Sequence, residues 1–110
     1  MTAADRDHER LERLAAPLLA RPGVDWGRMF GTIGLRLRGK VFAVAVDSGG
    51  LMAKVPATRA DELEAAGQAE WMVMAGRPRR EWVVVGADAT DSDWSALLDE
   101  SHRYLDEITP

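Results

Sequence analysis

The residues of this 110-residue chain that could take part in catalysis or ligand binding occur in incomplete motifs. Gly34, Gly39 and Lys40 have the spacing of a phosphate-binding loop, GxxxxGK, in which backbone N–H groups and the lysine hold phosphate. The next residue is Val41, not the serine or threonine that would bind magnesium. Such a loop also needs a helix after it, whereas the residues here alternate like strands. The spacing therefore predicts a β-hairpin and no nucleotide site.

Histidine and serine chemistry is equally incomplete. His8-Glu9 begins the zinc-protease motif HExxH, but position 12 is Glu12. The chain has only two histidines and no cysteine, which excludes thiolate nucleophiles and disulfides. Ser101 and His102 are neighbours on a predicted helix, so their side chains point in different directions, and His102 is expected to face solvent. We predict no catalytic residue, no metal site and no cofactor, and we do not expect an enzyme.

Hydrophobic periodicity predicts an α+β order of elements. The predicted elements are a helix at residues 5–20, strands at 33–37, 41–46 and 51–55, a helix at 59–66, strands at 70–74 and 81–85, and a helix at 92–107. Short turns make neighbouring strands antiparallel. We therefore predict a two-layer fold, an antiparallel five-stranded sheet with helices on one face, formed by residues 1–110 as one domain.

Local signals add detail to this order. Alternation in the second strand places Phe42 on the opposite face from Ala43 and Ala45. Thr58 and Asp61 resemble a capping box at the start of the second helix. The predicted last helix should turn Trp94, Leu97, Leu98, Ser101 and Leu105 inward.

Charge and hydropathy limit the partners. The net charge is −4, which argues against nucleic acid, since neutralisation of phosphates supplies much of that affinity. The charge is unevenly distributed. The charged residues between positions 28 and 59 are mostly basic, and those between positions 88 and 107 are mostly acidic. The first residues are charged and no apolar run approaches the roughly 20 residues of a membrane span. We expect a cytoplasmic protein with no membrane partner.

Four residues are candidates for an interaction surface. Arg36, Arg38 and Lys54 are expected on the sheet face away from the helices, either simply solvated or forming a basic patch for an acidic partner. Trp71 belongs to a strand that is apolar on both faces, a pattern typical of a strand that is covered twice or awaits a partner. This pattern predicts a homodimer contact there or nearby on the sheet.

An ordered set of short motifs resembles a known family. The motifs are Arg28-Met29-Phe30-Gly31, Gly34-Leu35, Gly39-Lys40, Phe42-Ala43, Leu51 and Lys54-Val55. Together they resemble the N-terminal domain of the TfoX/Sxy family over residues 11–104. The resemblance implies a fold similar to secretion chaperones and a regulator of natural competence that acts through protein partners rather than by catalysis. Because the chain ends at Pro110, we expect a stand-alone domain lacking the family's C-terminal domain.

Three functions remain open at this point. The favoured one is a non-catalytic protein-interaction domain with a regulatory role, which forms a homodimer and binds a protein partner. The second is a small-molecule-binding domain whose cleft is lined by at least two of the four tryptophans. The third is an enzyme of unknown type, which a buried titratable cluster in a cleft would support.

Overall fold

The computed structural model describes residues 2–29, 32–46 and 49–110. Its elements are α1 (Ala3–Leu19), β1 (Val24–Met29), β2 (Thr32–Leu37), β3 (Lys40–Ala45), β4 (Leu51–Lys54), α2 (Ala57–Ala65), β5 (Glu70–Met74), β6 (Arg77–Val85) and α3 (Asp91–Ile108). The strands form one antiparallel sheet in the order β1-β2-β3-β4-β6-β5. Phe30 and Gly31 of the family-like motif, and Asp47 and Ser48 after the strand predicted at residues 41–46, lie outside the described residues.

The α+β prediction is confirmed, but the sheet has six strands in the described residues rather than five. The additional strand is β1, which pairs with β2 from Val24 opposite Leu37 to Met29 opposite Thr32. Its strand signal is weak in the sequence, because Gly27 and Arg28 follow Val24 and Trp26, the two residues of β1 that pack on the core.

Capping boxes start two of the three helices in the described part of the chain. At α1 the Thr2 hydroxyl accepts the Asp5 N–H at 3.1 Å, and the Asp5 carboxylate accepts the Thr2 N–H at 3.0 Å. Thr90 and Asp93 make the same exchange at α3. Each exchange satisfies two N–H groups that a helix start leaves without a partner. Because α2 begins without a side-chain cap hydrogen bond, the capping box predicted at Thr58 is wrong.

The core joins all three helices to one face of the sheet. Its helical members are Leu11, Ala15, Leu18, Ala60, Leu63, Trp94, Leu97, Leu98 and Leu105. Removing this apolar surface from water is the main force that holds the two layers together, at about 25 cal/mol per Å². The inward stripe predicted for α3, including Ser101, is confirmed by its burial.

A bulge in β3 changes which face its side chains occupy. The register between β2 and β3 shifts between Leu35 and Arg36, which leaves Phe42 as an extra residue on β3. Phe42 therefore joins Ala43 in the core, and the prediction of opposite faces is wrong. Ser101 on α3 donates its hydroxyl to the Phe42 carbonyl at 3.0 Å, so this buried carbonyl has a partner.

Arg10 attaches α1 to the connection between β6 and α3. Its guanidinium carbon lies 4.0 Å from the centroid of the Trp94 ring, a cation–π geometry. The same guanidinium donates to the carbonyls of Ala87 at 3.0 Å and Ala89 at 2.6 Å, and to the Asp91 carboxylate at 2.7 Å. One side chain thus holds the loop, the start of α3 and the largest buried ring in place.

His102 is buried, contrary to the expectation that it faces solvent. Its Nδ1 accepts a hydrogen bond from the Arg21 guanidinium at 3.2 Å, and its ring meets Phe42 edge to face. Burial, followed by the nearby Arg21 charge, lowers the pKa of His102. The residue therefore acts as a neutral packing and accepting group at the junction of α3 with β3.

Candidate functional site

The most prominent exposed feature in the described residues is the hairpin of β5 and β6. A two-residue turn at Ala75 and Gly76 joins the strands, and both residues have positive φ, 53° and 76°. This turn type matches the twist of paired strands, and glycine adopts it without strain. The turn fixes the register that places Met74 opposite Arg77 and Met72 opposite Arg79.

The tip of this hairpin leaves the rest of the sheet. Strand β4 pairs with β6 only from Lys54 opposite Trp82 to Leu51 opposite Val85. The register of β5 against β6 shifts just after Trp71, so the residues of β6 near the turn pair with β5 alone. In the described residues, the tip is therefore a two-stranded projection, and β5 is an edge strand of the whole sheet.

Apolar and basic side chains share this projection. Val73 is 60% exposed and Trp71 is 37% exposed. Trp71 lines a groove beside α2, and Val73 pairs with Pro78, which lines the same groove, so both side chains are on the helical side of the sheet. The adjoining strand exposes Arg77, Arg79 and Arg80. Exposed apolar side chains beside a cluster of arginines are typical of protein-binding surfaces, where arginine and tryptophan are enriched.

A groove of about 480 Å³ lies between the hairpin and α2. Trp71, Pro78 and Ala65 are among its lining residues, and Arg80 donates to Asp61 at 3.2 Å across one side. On the other side, the Glu64 carboxylate accepts the backbone N–H of Trp71 at 3.3 Å. The groove is large enough to receive an apolar side chain of a partner, and it has charged groups at its rim.

Two of the four predicted surface residues lie on the sheet face opposite the helices. Arg36 donates two hydrogen bonds to Asp25 on β1, at 2.9 and 2.7 Å, and these bonds lower the pKa of Asp25. Lys54 lies over the Trp82 ring, with its Nζ 6.0 Å from the ring centroid. Each cation already has a partner within the chain, so the two do not form a free basic patch.

The other two predicted residues lie elsewhere. Arg38 has a φ of 49° in the β2–β3 turn and reaches the end of α3, where it pairs with Asp106 at 3.0 Å and donates to the Thr109 carbonyl at 2.7 Å. The expectation that Arg38 lies on the face away from the helices is therefore wrong. Trp71 lies at the hairpin groove. The structure does not bring the four residues together.

Sequence reasoning missed the basic cluster of the hairpin. The sequence pattern predicts residues 75–80 as the connection between two strands and places the basic segment at residues 28–59, so Arg77, Arg79 and Arg80 fall outside that segment. The available signal was the run of three arginines directly after Ala75-Gly76, a turn sequence. The structure adds that all three arginines are exposed on one hairpin.

The tryptophans do not share a cleft. Trp94 is fully buried against Arg10, Trp26 packs on α1 beside His8, and Trp82 lies on the opposite sheet face. A second cleft of about 670 Å³ lies between α2 and α3 and is lined by the ion pair of Arg59 with Glu100, but it contains no tryptophan. The structure therefore gives no support to a ligand cleft lined by several tryptophans.

Residues 2–29, 32–46 and 49–110 contain neither a metal-binding cluster nor a membrane-spanning helix. No group of three or more histidine, aspartate or glutamate side chains is arranged to hold a metal ion in this part of the chain. In the same residues, no helix combines the length and the apolar character needed to cross a bilayer.

These features define a small α+β protein in which three helices cover one face of an open antiparallel sheet and a basic hairpin projects from its edge. The chain matches the model of the TfoX N-terminal domain over residues 18–103, and it belongs to that family. The resemblance seen in the sequence is therefore confirmed. The family indicates a regulatory or competence-related role and is not a known enzyme family. No curated protein and no solved structure matched the chain.

Proposed function

We propose that this chain is a non-catalytic, regulatory protein-interaction domain that acts as a single folded unit in the cytoplasm. The hairpin of β5 and β6 is the surface through which it binds protein. Family membership supports the regulatory class. The observation that carries the proposal is the coincidence of Trp71, Val73 and three exposed arginines on one projection with an open strand edge.

An exposed apolar edge strand is an aggregation hazard that soluble proteins usually avoid, so its presence here suggests a binding role. Soluble proteins protect edge strands with charges, prolines or bulges, because unpaired N–H and C=O groups recruit other strands. The edge strand β5 has a single charged residue, Glu70, in its sequence EWMVM. Its neighbour β6 adds cations that would attract an acidic partner and favour fast association.

Capture from a native cell extract tests the function. The immobilised wild-type chain is compared with Val73→Asp on the hairpin and with Ile108→Asp as a matched control, since Ile108 is 49% exposed at the end of α3. We expect one set of proteins to be retained by the wild type and the control and to fall at least tenfold with Val73→Asp. Equal retention by both variants, or none above bare resin, contradicts the proposal.

A further inference from the structure

We infer that β5 pairs with β5 of a second copy of this chain, antiparallel and centred on Met72, so that two sheets join into one. The inference rests on the proposed function and names the partner at the hairpin edge. Three features of β5 support it: the direction of its backbone groups, the side chains that would meet across the pair, and the position of the charges.

The turn determines which residues of β5 offer their backbone to a partner. In a two-residue hairpin the pair beside the turn, Met74 with Arg77, is hydrogen-bonded within the hairpin, and the pattern alternates along the strands. Met72 therefore also points its backbone groups towards β6, while Val73 points its own outward. Trp71 lies beyond the register shift, and its N–H donates to Glu64 on α2 rather than to β6, so it too is directed away from β6. Pro78 opposite Val73 agrees with this pattern, because proline has no N–H to donate.

The N–H of Trp71 already donates to a side chain, and a partner strand can replace that acceptor. The Glu64 side chain accepts it at 3.3 Å, a long hydrogen bond from a side chain on α2. In the proposed pair, the carbonyl of Val73 in the second copy takes this position. Val73 and Trp71 then exchange backbone hydrogen bonds on both sides of the two-fold axis.

The side chains match in this register. Trp71 of one copy lies opposite Val73 of the second copy, and the same pair recurs across the two-fold axis. Both residues are exposed in the single chain, and aromatic side chains opposite β-branched ones are favourable cross-strand pairs. The contact thus covers Trp71 and Val73, the large apolar side chains of the hairpin that are exposed among the described residues.

The charges match on the other face of the strand. Glu70 of one copy lies opposite Met74 of the second copy, and Arg77 lies beside Met74 on the next strand. Two strand spacings, roughly 10 Å, separate Glu70 from that Arg77, and their extended side chains span this distance together. Each dimer contains this attractive pair twice.

The opposite edge of the sheet is less suited to pairing. Strand β1 has Asp25 and Arg28 along its length and Gly27 at its centre. Charges on an edge strand oppose pairing, and glycine weakens a strand. The second copy is therefore assigned to β5.

Single cysteine variants measure the register, because the chain has no cysteine of its own. In the proposed pair, Met72 faces itself across the two-fold axis, so Met72→Cys should form a covalent dimer on mild oxidation. Two copies of Val73→Cys lie two residues out of register, with Cα atoms further apart than the roughly 7 Å that a disulfide tolerates. We expect at least a tenfold excess of covalent dimer for Met72→Cys. Equal yields, or no dimer from either variant, overturn the inference.

A charge exchange gives a second test by sedimentation equilibrium. Glu70→Arg and Arg77→Glu should each weaken the dimer roughly tenfold, since each turns two attractive pairs into repulsive ones, and the double variant should restore it. Arg79→Glu is the matched control, because Arg79 lies in the Met72 row and faces no carboxylate there. Loss of the dimer in Arg79→Glu but not in Arg77→Glu contradicts the register.

Failure of the two proposals is separable. If the chain is a monomer at high micromolar concentration while Val73→Asp still loses captured proteins, the self-association inference falls and the interaction function stands. If the capture experiment also shows no dependence on the hairpin, both fall.

Discussion

The hydroxyl of Ser101 donates a hydrogen bond to the backbone carbonyl of Phe42, with 3.0 Å between the two oxygens. Phe42 is the extra residue of the β3 bulge, and a bulge leaves backbone groups outside the strand ladder. Both residues are fully buried, so water cannot donate a hydrogen bond to that carbonyl. One hydroxyl on α3 therefore makes the irregular strand compatible with a dry core.

Removing that hydroxyl should destabilise the fold. We expect Ser101→Ala to lower the free energy of unfolding by about 1–2 kcal/mol, the cost of a buried carbonyl without a partner. Urea denaturation followed by circular dichroism measures the change. Ser95→Ala, at a half-buried position on the same helix, is the matched control and should change it by less than about 0.5 kcal/mol. An equal effect at both positions would show that the hydrogen bond to Phe42 has no special role.

Arg10 should matter more than the neighbouring Arg13, although both bind Asp91. Arg10→Met loses the stacking on Trp94 and two hydrogen bonds to loop carbonyls, so we expect a loss of about 2 kcal/mol. Arg13→Met removes only an exposed ion pair, and the expected loss is below about 0.5 kcal/mol. Thermal and urea unfolding of the two variants compare them directly, and equal losses would contradict the assignment.

Tyr104 offers a titration that can be read without ambiguity, because it is the only tyrosine in the chain. Its hydroxyl bonds to the Glu81 carboxylate, which, together with burial, raises the pKa of Tyr104 to about 12. The folded state favours the neutral phenol, so this contribution to stability is complete below pH 10 and is lost as the pH rises from about 10 towards 12.

Ultraviolet absorbance of the phenolate measures this effect. At pH 11 the folded chain should show much less phenolate than the urea-unfolded chain. Glu81→Gln should move the midpoint towards the ordinary value, and Glu107→Gln, an exposed position on α3, should leave it in place. A wild-type midpoint equal to that of the unfolded chain would refute the proposed role of Glu81.

The lowered pKa of His102 predicts that the folded chain loses stability in mild acid. Burial and Arg21 lower the pKa of this imidazole, so the unfolded chain takes up a proton more readily than the folded one. Stability from this group is therefore present above about pH 6.5 and declines as the pH falls below it. Proton NMR titration of His102 should give a midpoint below that of a free histidine.

Two arginine variants separate the cause. Arg21→Met should raise the midpoint of His102, because it removes both a nearby positive charge and the hydrogen bond to Nδ1. Arg103→Met changes an exposed neighbour in sequence and should leave the midpoint unchanged. If both variants moved it equally, general charge rather than the Arg21 contact would be the cause.

The helices and most of the strands could be predicted from the sequence because their signals are local. The stripe of α3 and the strand at residues 70–74 depend only on the order of apolar and polar residues. The face of Phe42 could not be predicted, since it depends on a bulge that arises from pairing between strands. The pattern of two-residue alternation contains no information about such a shift. The burial of His102 could not be predicted either, since it depends on packing against Phe42 and Arg21, which are distant in sequence.

The candidate site was predicted in part for the same reason. The two-sided apolar character of the strand with Trp71 was visible in the sequence, and the structure places that strand at an edge. The arginines at residues 77–80 were not recognised, because their exposure depends on where β6 separates from β4. Arg38 was misplaced because a positive φ in its turn directs it to α3.

The connection made by Arg10 has a practical consequence for anyone who would cut the chain at the limits of the family match, residues 18 and 103. Such a fragment would lose Arg10 itself, together with Leu11 and Ala15 of the core. It would also lose the far end of α3, where Leu105 packs and Asp106 holds Arg38. The segment by which relatives are recognised is therefore shorter than the segment that can fold, and we expect the fragment to aggregate or be degraded where the full chain stays intact.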